Sequence, residues 1–336
     1  MYFARFLGIA AAAAIVVSGL SAKAETVIRV SSWAPPTHGI NAIVWPTWGE
    51  WVAEATDGRV TVKVEYGLAP PPAQLDVVRD GIADATWIFH GYNPGRYVLT
   101  QIVELPGLGT SAEAASVAYW RVHQKYLDKA GEHRGITLLA LTTHGQGAIH
   151  TKKKINSLGD LNGLKIRIGG GVSGAVGEAL GVVGVRVPAP KVYETVASGV
   201  ADGVFMPMET KKSFRLLEVA PNTVIMPGGL YYGSFALVMN TDKLNGLSAA
   251  DREAVMSVSG EKLSRMVGAM WDEIDRVGAA AAKEAGNDVV VASDEMAAEY
   301  KTLVAHIEKD WIAAAGKKGV DAEAALAELR ATAGAM

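Results

Sequence analysis

The sequence predicts an α/β protein of two lobes, each built on a mixed, mostly parallel sheet. From Glu25 onward short β-like runs alternate with helical stretches, the pattern of strands joined by covering helices. A length of 336 residues divides most naturally into two domains, each large enough to own a core. A helical pattern in the last third is longer than one domain is wide, and so calls for a partner surface in both.

The first 24 residues stand apart from the fold. Arg5 supplies a positive start, residues 7–17 are apolar and alanine-rich, and Ala22-Lys23-Ala24 reads as a small-residue cleavage site. Residues 1–24 are expected to be a secretory signal peptide, too short for a permanent anchor. No later segment has the uninterrupted apolar length of a membrane span, so a soluble mature protein outside the cytoplasm is expected.

Residues 27–32 alternate as a strand, and 42–56 follow as a helix with Trp45, Trp48, Trp51 and Val52 at helical spacing. Thr56-Asp57-Gly58 turns the chain into a second strand over 60–66. A helix at 76–81 and a strand at 83–89 complete a βαβαβ unit. Further strands are expected at 137–143, 165–168, 203–205, 223–225, 234–240 and 288–291, with helices at 112–130, 173–180 and 192–198. Ser248 with Asp251 three residues later marks a helix start. The pattern then runs through Val255, Leu263, Met266, Val267, Met270, Trp271, Ile274 and Val277 to Gly286, about 55 Å at 1.5 Å per residue. It either breaks at Gly260 or Gly268 or lies across two lobes. The second is expected, because apolar positions along its whole length need a surface along its whole length.

Composition excludes several classes of function. With 32 basic and 35 acidic residues the chain has no excess to bring to nucleic acid, and none is expected as a partner. The absence of cysteine removes thiol catalysis, thiolate metal sites and disulfides, so stability must come from burial. The seven histidines include no H-E-x-x-H spacing, and no G-x-S-x-G, S-x-x-K or paired catalytic carboxylate motif stands out. No catalytic residue, metal or cofactor is assigned.

One stretch does point to a ligand. Leu164, Ile166 and Ile168 alternate, so Lys165 and Arg167 share the opposite face of a strand that ends in Gly169-Gly-Gly171 and a helix. Open α/β sheets bind ligands beyond such strand ends, and the guanidinium fork of Arg167 beside a helix N-terminus suits a carboxylate. Gly169-x-Gly171-x-x-Gly174 with Glu194 downstream also fits a dinucleotide template, a weak match that the export signal argues against. Trp33, Trp87, Phe89, Phe205, Tyr231 and Tyr232 all fall at expected strand ends, where they would wall an apolar pocket.

In combination these segments resemble one family, the periplasmic receptors of tripartite ATP-independent (TRAP) transporters, the DctP-like group. The likeness covers essentially the whole mature chain: Val30-Ser-Ser-Trp33-Ala-Pro-Pro-Thr-His38, Val78-Arg-Asp-Gly-Ile-Ala-Asp84, Gly91-Tyr-Asn-Pro-Gly-Arg96 and Glu104-Leu-Pro106. Its most specific part is Leu158-Gly-Asp-Leu-Asn-Gly-Leu-Lys-Ile-Arg167, with Val192-Tyr193 and Gly199-Val-Ala-Asp-Gly203 downstream. The resemblance implies a two-lobed periplasmic binding protein fold with a long lobe-spanning helix, a salt bridge from Arg167 to the ligand carboxylate, and delivery to TRAP membrane permease subunits. On it, lobe I is expected to comprise residues 25–143 and 232–268, and lobe II residues 144–231 and 269–336, in a monomer.

Two departures from the family pattern bear on the ligand. Many relatives carry a second pocket arginine where this chain reads His144-Gly-Gln146-Gly-Ala-Ile-His150, and an asparagine where it has Met206 before Pro207. A pocket so altered should prefer a small organic monocarboxylate on an apolar body (aromatic, branched, keto or hydroxy acid) to a C4-dicarboxylate or sugar acid. The expected ligand-binding set is Arg167, Trp33, Trp87, Phe89, His90, His144, Gln146, Gly169, Met206, Tyr231 and Tyr232. Two rivals stay open at this level: a secreted hydrolase or lyase using His144 and His90, and a sensory receptor serving a membrane kinase.

Overall fold

The computed structural model describes residues 26–336; the signal segment and cleavage site expected at 1–24 lie outside the described residues. The first run of elements is β1 (Thr26–Ser32), α1 (Trp45–Ala55), β2 (Val60–Tyr66), α2 (Gln74–Arg79), β3 (Ala85–Phe89), α3 (Ala112–Val122) and β4 (Thr137–Thr143). A second run follows: β5 (Gly147–Thr151), β6 (Lys165–Ile168), α4 (Val172–Ala179), β7 (Val183–Arg186), α5 (Val192–Ala197), β8 (Gly203–Pro207), α6 (Thr210–Ser213), α7 (Leu216–Val219) and β9 (Asn222–Ile225). The chain then returns through β10 (Ser234–Met239), α8 (Thr241–Asn245), α9 (Ala249–Ser257), α10 (Gly260–Glu284), β11 (Asp288–Val291), α11 (Asp294–Gly316) and α12 (Ala322–Gly334).

Two mixed sheets organise these elements, ordered β2-β1-β3-β10-β4 and β11-β9-β5-β8-β6-β7. The expected βαβαβ unit is present, with β1 parallel to both β2 and β3. β10 returns from far along the chain to lie antiparallel between β3 and β4, placing Phe235 opposite Phe89 and Thr142. β6 lies parallel to β7 and β8, with Arg167 opposite Val185 and Val204. The chain therefore passes between the sheets after β4, after β9 and along α10.

The helical pattern after Ser248 is not one 55 Å rod. It breaks at Gly260, whose φ of +65° lies in the left-handed region where glycine alone carries no Cβ penalty. The part beyond, α10, is 25 residues and roughly 37 Å long, and it does reach both sheets' helices. Gly268 crosses α3 so closely that a Cβ there would lie 2.6 Å from Ala112 O. Ten residues on, a Cβ on Gly278 would lie 2.7 Å from Glu209 Cα. Between these crossings Asp272 accepts from the Ala112 and Glu113 N–H groups (2.7 and 3.0 Å), and Asp275 accepts from Glu209 N–H (2.7 Å). One helix thus holds the start of α3 on one side and the entry to α6 on the other. The boundary expected at 268/269 falls inside this continuous helix, and the C-terminal α12 packs on α3 of the first run.

Other departures have local causes. The helix expected over 112–130 ends as α-helix at Val122, continues as a π turn over His123–Leu127 and a 3-10 turn over Asp128–Ala130, and stops at left-handed Gly131. β5 and β7 were not expected as strands. Each carries a glycine, Gly147 or Gly184, that interrupts the alternating pattern.

Candidate functional site

β6 carries Arg167 inward because Ile166 and Ile168, on the other face, are buried beneath the second sheet. Arg167 is only 3% exposed. Its Nε donates to Val187 O (2.9 Å) and its Nη2 to the Tyr92 hydroxyl (3.3 Å), which also accepts from Ala189 N–H (2.8 Å). Among the described residues no carboxylate lies within ion-pairing distance of it. Burying a charge without a counter-charge costs several kcal/mol, on the order of 3–5. The arrangement is therefore complete only when an anion meets the fork.

The helix terminus behind Arg167 is not free, contrary to the sequence expectation. Val172 N–H at the start of α4 donates to Glu104 Oε2 (2.8 Å), and Ser173 Oγ donates to Gly170 O (2.7 Å). Glu104 arrives from the segment after β3, and its other oxygen accepts from Ser234 N–H (3.3 Å). An anion at this place would meet the guanidinium rather than the helix end.

An aromatic box stands in front of the fork. Trp33 and Trp87 stack at 3.9 Å between ring centres with an 8° tilt. Trp33 Nε1 donates to Trp87 O (3.1 Å) and Trp87 Nε1 to Ser32 Oγ (3.0 Å), so both indoles offer the cavity their apolar faces. Phe235 lies 5.6 Å from Trp87 and 5.0 Å from Phe89, and Tyr92 stands edge-on to Phe89 at 4.9 Å. Gly169, Ala189, Met206 and Phe214 close the side of the second sheet, and Trp271 of α10 closes the end. The cavity spans about 410 Å³ of space between atoms, part of it open to solvent.

A second polar group lies in the same cavity, at the Trp271 end. His38 Nε2 and Glu209 Oε2 face each other at 3.9 Å, each residue 2% exposed. Burial holds His38 neutral, pulled down to about 4, and pushes the Glu209 carboxyl up to about 8. His144 also lines the cavity. Its Nδ1 sits 2.6 Å from Gly145 O and so must carry the proton, and burial pulls the ring down to about 4. Neither imidazole is a cation at neutral pH.

Of the residues expected to bind ligand, Arg167, Trp33, Trp87, Phe89, His144, Gly169 and Met206 line this one cavity. The other four stand elsewhere. His90 lies beneath the first sheet, its nitrogens 2.8 Å from Ser234 Oγ and 2.9 Å from His133 Nε2. Tyr231 backs the wall, giving its hydroxyl to Phe205 O (2.9 Å) and its ring edge to His144. The Tyr232 hydroxyl donates to Thr110 O (2.8 Å), and Gln146 lines a separate cavity with Asp272 and Asp275. Sequence reasoning missed Tyr92, His38, Glu209, Phe214, Phe235 and Trp271. Tyr92 and His38 lie inside quoted family segments. Glu209 carried no signal, and Trp271 none apart from a helical pattern that read as core.

The buried ionisable groups predict how stability varies with pH. Burial pulls His38, His123 and His144 to about 4 and His90 and His150 to about 3. A histidine so depressed costs stability as pH falls below its unfolded value, near 6.5. Burial raises Glu104 and Glu209 to about 8 and Asp275 to about 7. Their contribution is present below the unfolded carboxyl value and is lost as pH rises through these raised values. Between pH 4.5 and 6.5 the two sets oppose, and the histidines are the more numerous. The melting temperature of the ligand-free protein should therefore peak at roughly pH 6–7 and fall on both sides. A calorimetric Tm that climbs steadily from pH 5 to 9 would contradict this assignment.

Comparison with known proteins places the chain in context. The model of the DctP family, described as bacterial extracellular solute-binding protein, family 7, matches residues 31–314. A Comamonas testosteroni protein named outer membrane transporter protein TsaT is 33% identical over 338 residues, covering 100% of this chain and 99% of its own. A TRAP periplasmic solute-binding protein from Bordetella bronchiseptica, solved with bound (R)- and (S)-mandelate, superposes with a TM-score of 0.89 at 39% identity, over 92% of this chain and 98% of that one. Another, from an unidentified marine microbe, is described as specific for aromatic acid ligands and was crystallised with 3-hydroxybenzoate. It gives a TM-score of 0.86 at 32% identity, over 93% of this chain and 98% of its own.

Proposed function

Because the chain belongs to the DctP family of bacterial extracellular solute-binding proteins, we propose that it is the periplasmic receptor of a TRAP transporter, capturing an aromatic monocarboxylate and handing it to membrane permease subunits. The observation that carries this reading is Arg167, a buried guanidinium without a counter-charge at the wall of an aromatic cavity. A carboxylate completes the fork bidentately, and the ring slides against Trp33, Trp87 and Phe235. Relatives that hold mandelate and 3-hydroxybenzoate support the ligand class.

Binding here is an equilibrium between open and closed lobes. Arg167 belongs to the second sheet, while Tyr92 and the paired tryptophans belong to the first run of elements, so a ligand touching both stabilises the closed form by contacts the open form lacks. Separation of His144 from His90 weakens the rival reading of a hydrolase or lyase that uses the two together. In a thermal-shift panel on the full protein, benzoate, mandelate and hydroxybenzoates are expected to raise the melting temperature, and succinate and sugar acids to leave it unchanged. Stabilisation by succinate or sugar acids alone would overturn the proposal.

A further inference from the structure

We propose that the His38–Glu209 pair is a specificity pole that receives a hydroxyl on the ligand's aromatic ring, remote from its carboxylate. The inference rests on the reading of Arg167 as the carboxylate anchor. Ile40 N–H donates to His38 Nδ1 (3.2 Å), which fixes that nitrogen as acceptor and leaves the proton on Nε2. This buried Nε2–H has no hydrogen-bond partner among the described residues. Glu209 Oε2, at 3.9 Å, is too distant for a direct bond, yet a single oxygen about 2.8 Å from each would bridge them. Trp271, whose ring stands edge-on to His38 at 5.3 Å, presents a second buried donor without a partner, Nε1. Unmet donors and a carboxyl thus converge on one end of the cavity.

The pole is held in place and lies apart from the anchor. Glu209 is fixed by its N–H to Asp275 and by the hydroxyl of Ser213 on its side chain. The rings around His38 are Trp87, Phe214 and Trp271, whereas Arg167 neighbours Tyr92, Val187 and Gly169. A substituent beside the ligand carboxylate stays with the second group; one across the ring reaches the first. A hydroxyl suits both faces of the pole, because it accepts from Nε2–H and donates to Glu209 Oε2. An ether only accepts, an ammonium would meet the Nε2–H donor, and a second carboxylate would place an unpaired charge in a buried site.

Calorimetric titration of the full protein, stripped of bound ligand, with benzoate and its 3- and 4-hydroxy and 3- and 4-methoxy derivatives tests this. One hydroxybenzoate should bind roughly ten-fold tighter than benzoate, and its methoxy counterpart should lose that gain. In Glu209→Leu and His38→Phe the hydroxybenzoate-to-benzoate affinity ratio should collapse toward one. If either variant fails to fold, the hydroxy-against-methoxy comparison in the native protein decides. Equal affinity for benzoate and both hydroxybenzoates, as a pole holding only water would give, overturns the inference and leaves the aromatic-monocarboxylate reading standing. Failure of every compound to bind overturns both.

Discussion

Replacing Arg167 with alanine is expected to abolish measurable binding of aromatic monocarboxylates while leaving the fold intact. Breaking a buried, hydrogen-bonded ion pair by removing one partner costs about 3–5 kcal/mol, which is roughly 10²- to 10³-fold or more in Kd. Two features make the expectation sharp. Neither His38 nor His144 is charged at neutral pH, so no neighbouring cation in the cavity can take over. The side chain's own hydrogen bonds go only to neutral groups, Val187 O and the Tyr92 hydroxyl. The ligand-free variant should melt at or above the temperature of the native protein, because a desolvated charge has gone. Arg167→Lys should recover part of the binding, since an ammonium keeps the charge and loses the planar fork. Calorimetric titration with benzoate and a thermal melt of the free variant check both halves; retained micromolar affinity would move the anchor to another residue.

The fold was legible wherever one physical signal dominated a segment. β2, β4, β6 and β11 fall at the residues expected, and in β2 and β6 apolar alternation marks the run. The helix after Ser248 shows where such reading stops. Gly260 and Gly268 are the same residue type in the same pattern, but one ends a helix through its positive φ and the other admits the backbone of α3. A linear sequence does not separate a conformational glycine from a packing glycine. No helix was expected after residue 291, although Ser293 caps α11 by accepting from Met296 N–H (3.2 Å), with Asp294 and Glu295 following.

At the site, Arg167 was legible because strand alternation and the glycines after it specify both its face and its position at a strand end. Gln146 was expected in the pocket because the resemblance puts it where many relatives carry a second arginine, but the chain bends at Gly145, so His144 and Gln146 enter different cavities. Gly145 itself is dictated by α10: a Cβ there would lie 3.0 Å from Asp275 Cγ. The His38–Glu209–Trp271 group was invisible for a different reason. Its members come from the loop after β1, the entry to α6 and the middle of α10, and no local pattern links residues so far apart in the chain.

A second carboxylate on the ligand should cost far more than any neutral substituent. Isophthalate, which is benzoate with one more carboxylate, is expected to bind at least 100-fold more weakly than benzoate at pH 7, in line with roughly 3–5 kcal/mol for an unpaired buried charge. The first carboxylate takes the guanidinium. The second then reaches a wall of Trp87, Phe214 and Trp271, with two neutral imidazoles and an acid already pushed up to about 8 by burial. Proximity to that acid makes ionisation of either group dearer, so the penalty must ease as the second carboxyl takes up a proton. Isophthalate affinity should therefore rise between pH 7 and pH 5, while that of benzoate, whose single carboxylate stays ionised on Arg167, holds nearly constant. Competition titrations at the two pH values check the sign. Isophthalate binding as tightly as benzoate at pH 7 would require a second cation in the cavity, and the aromatic wall would then be the wrong account of its selectivity.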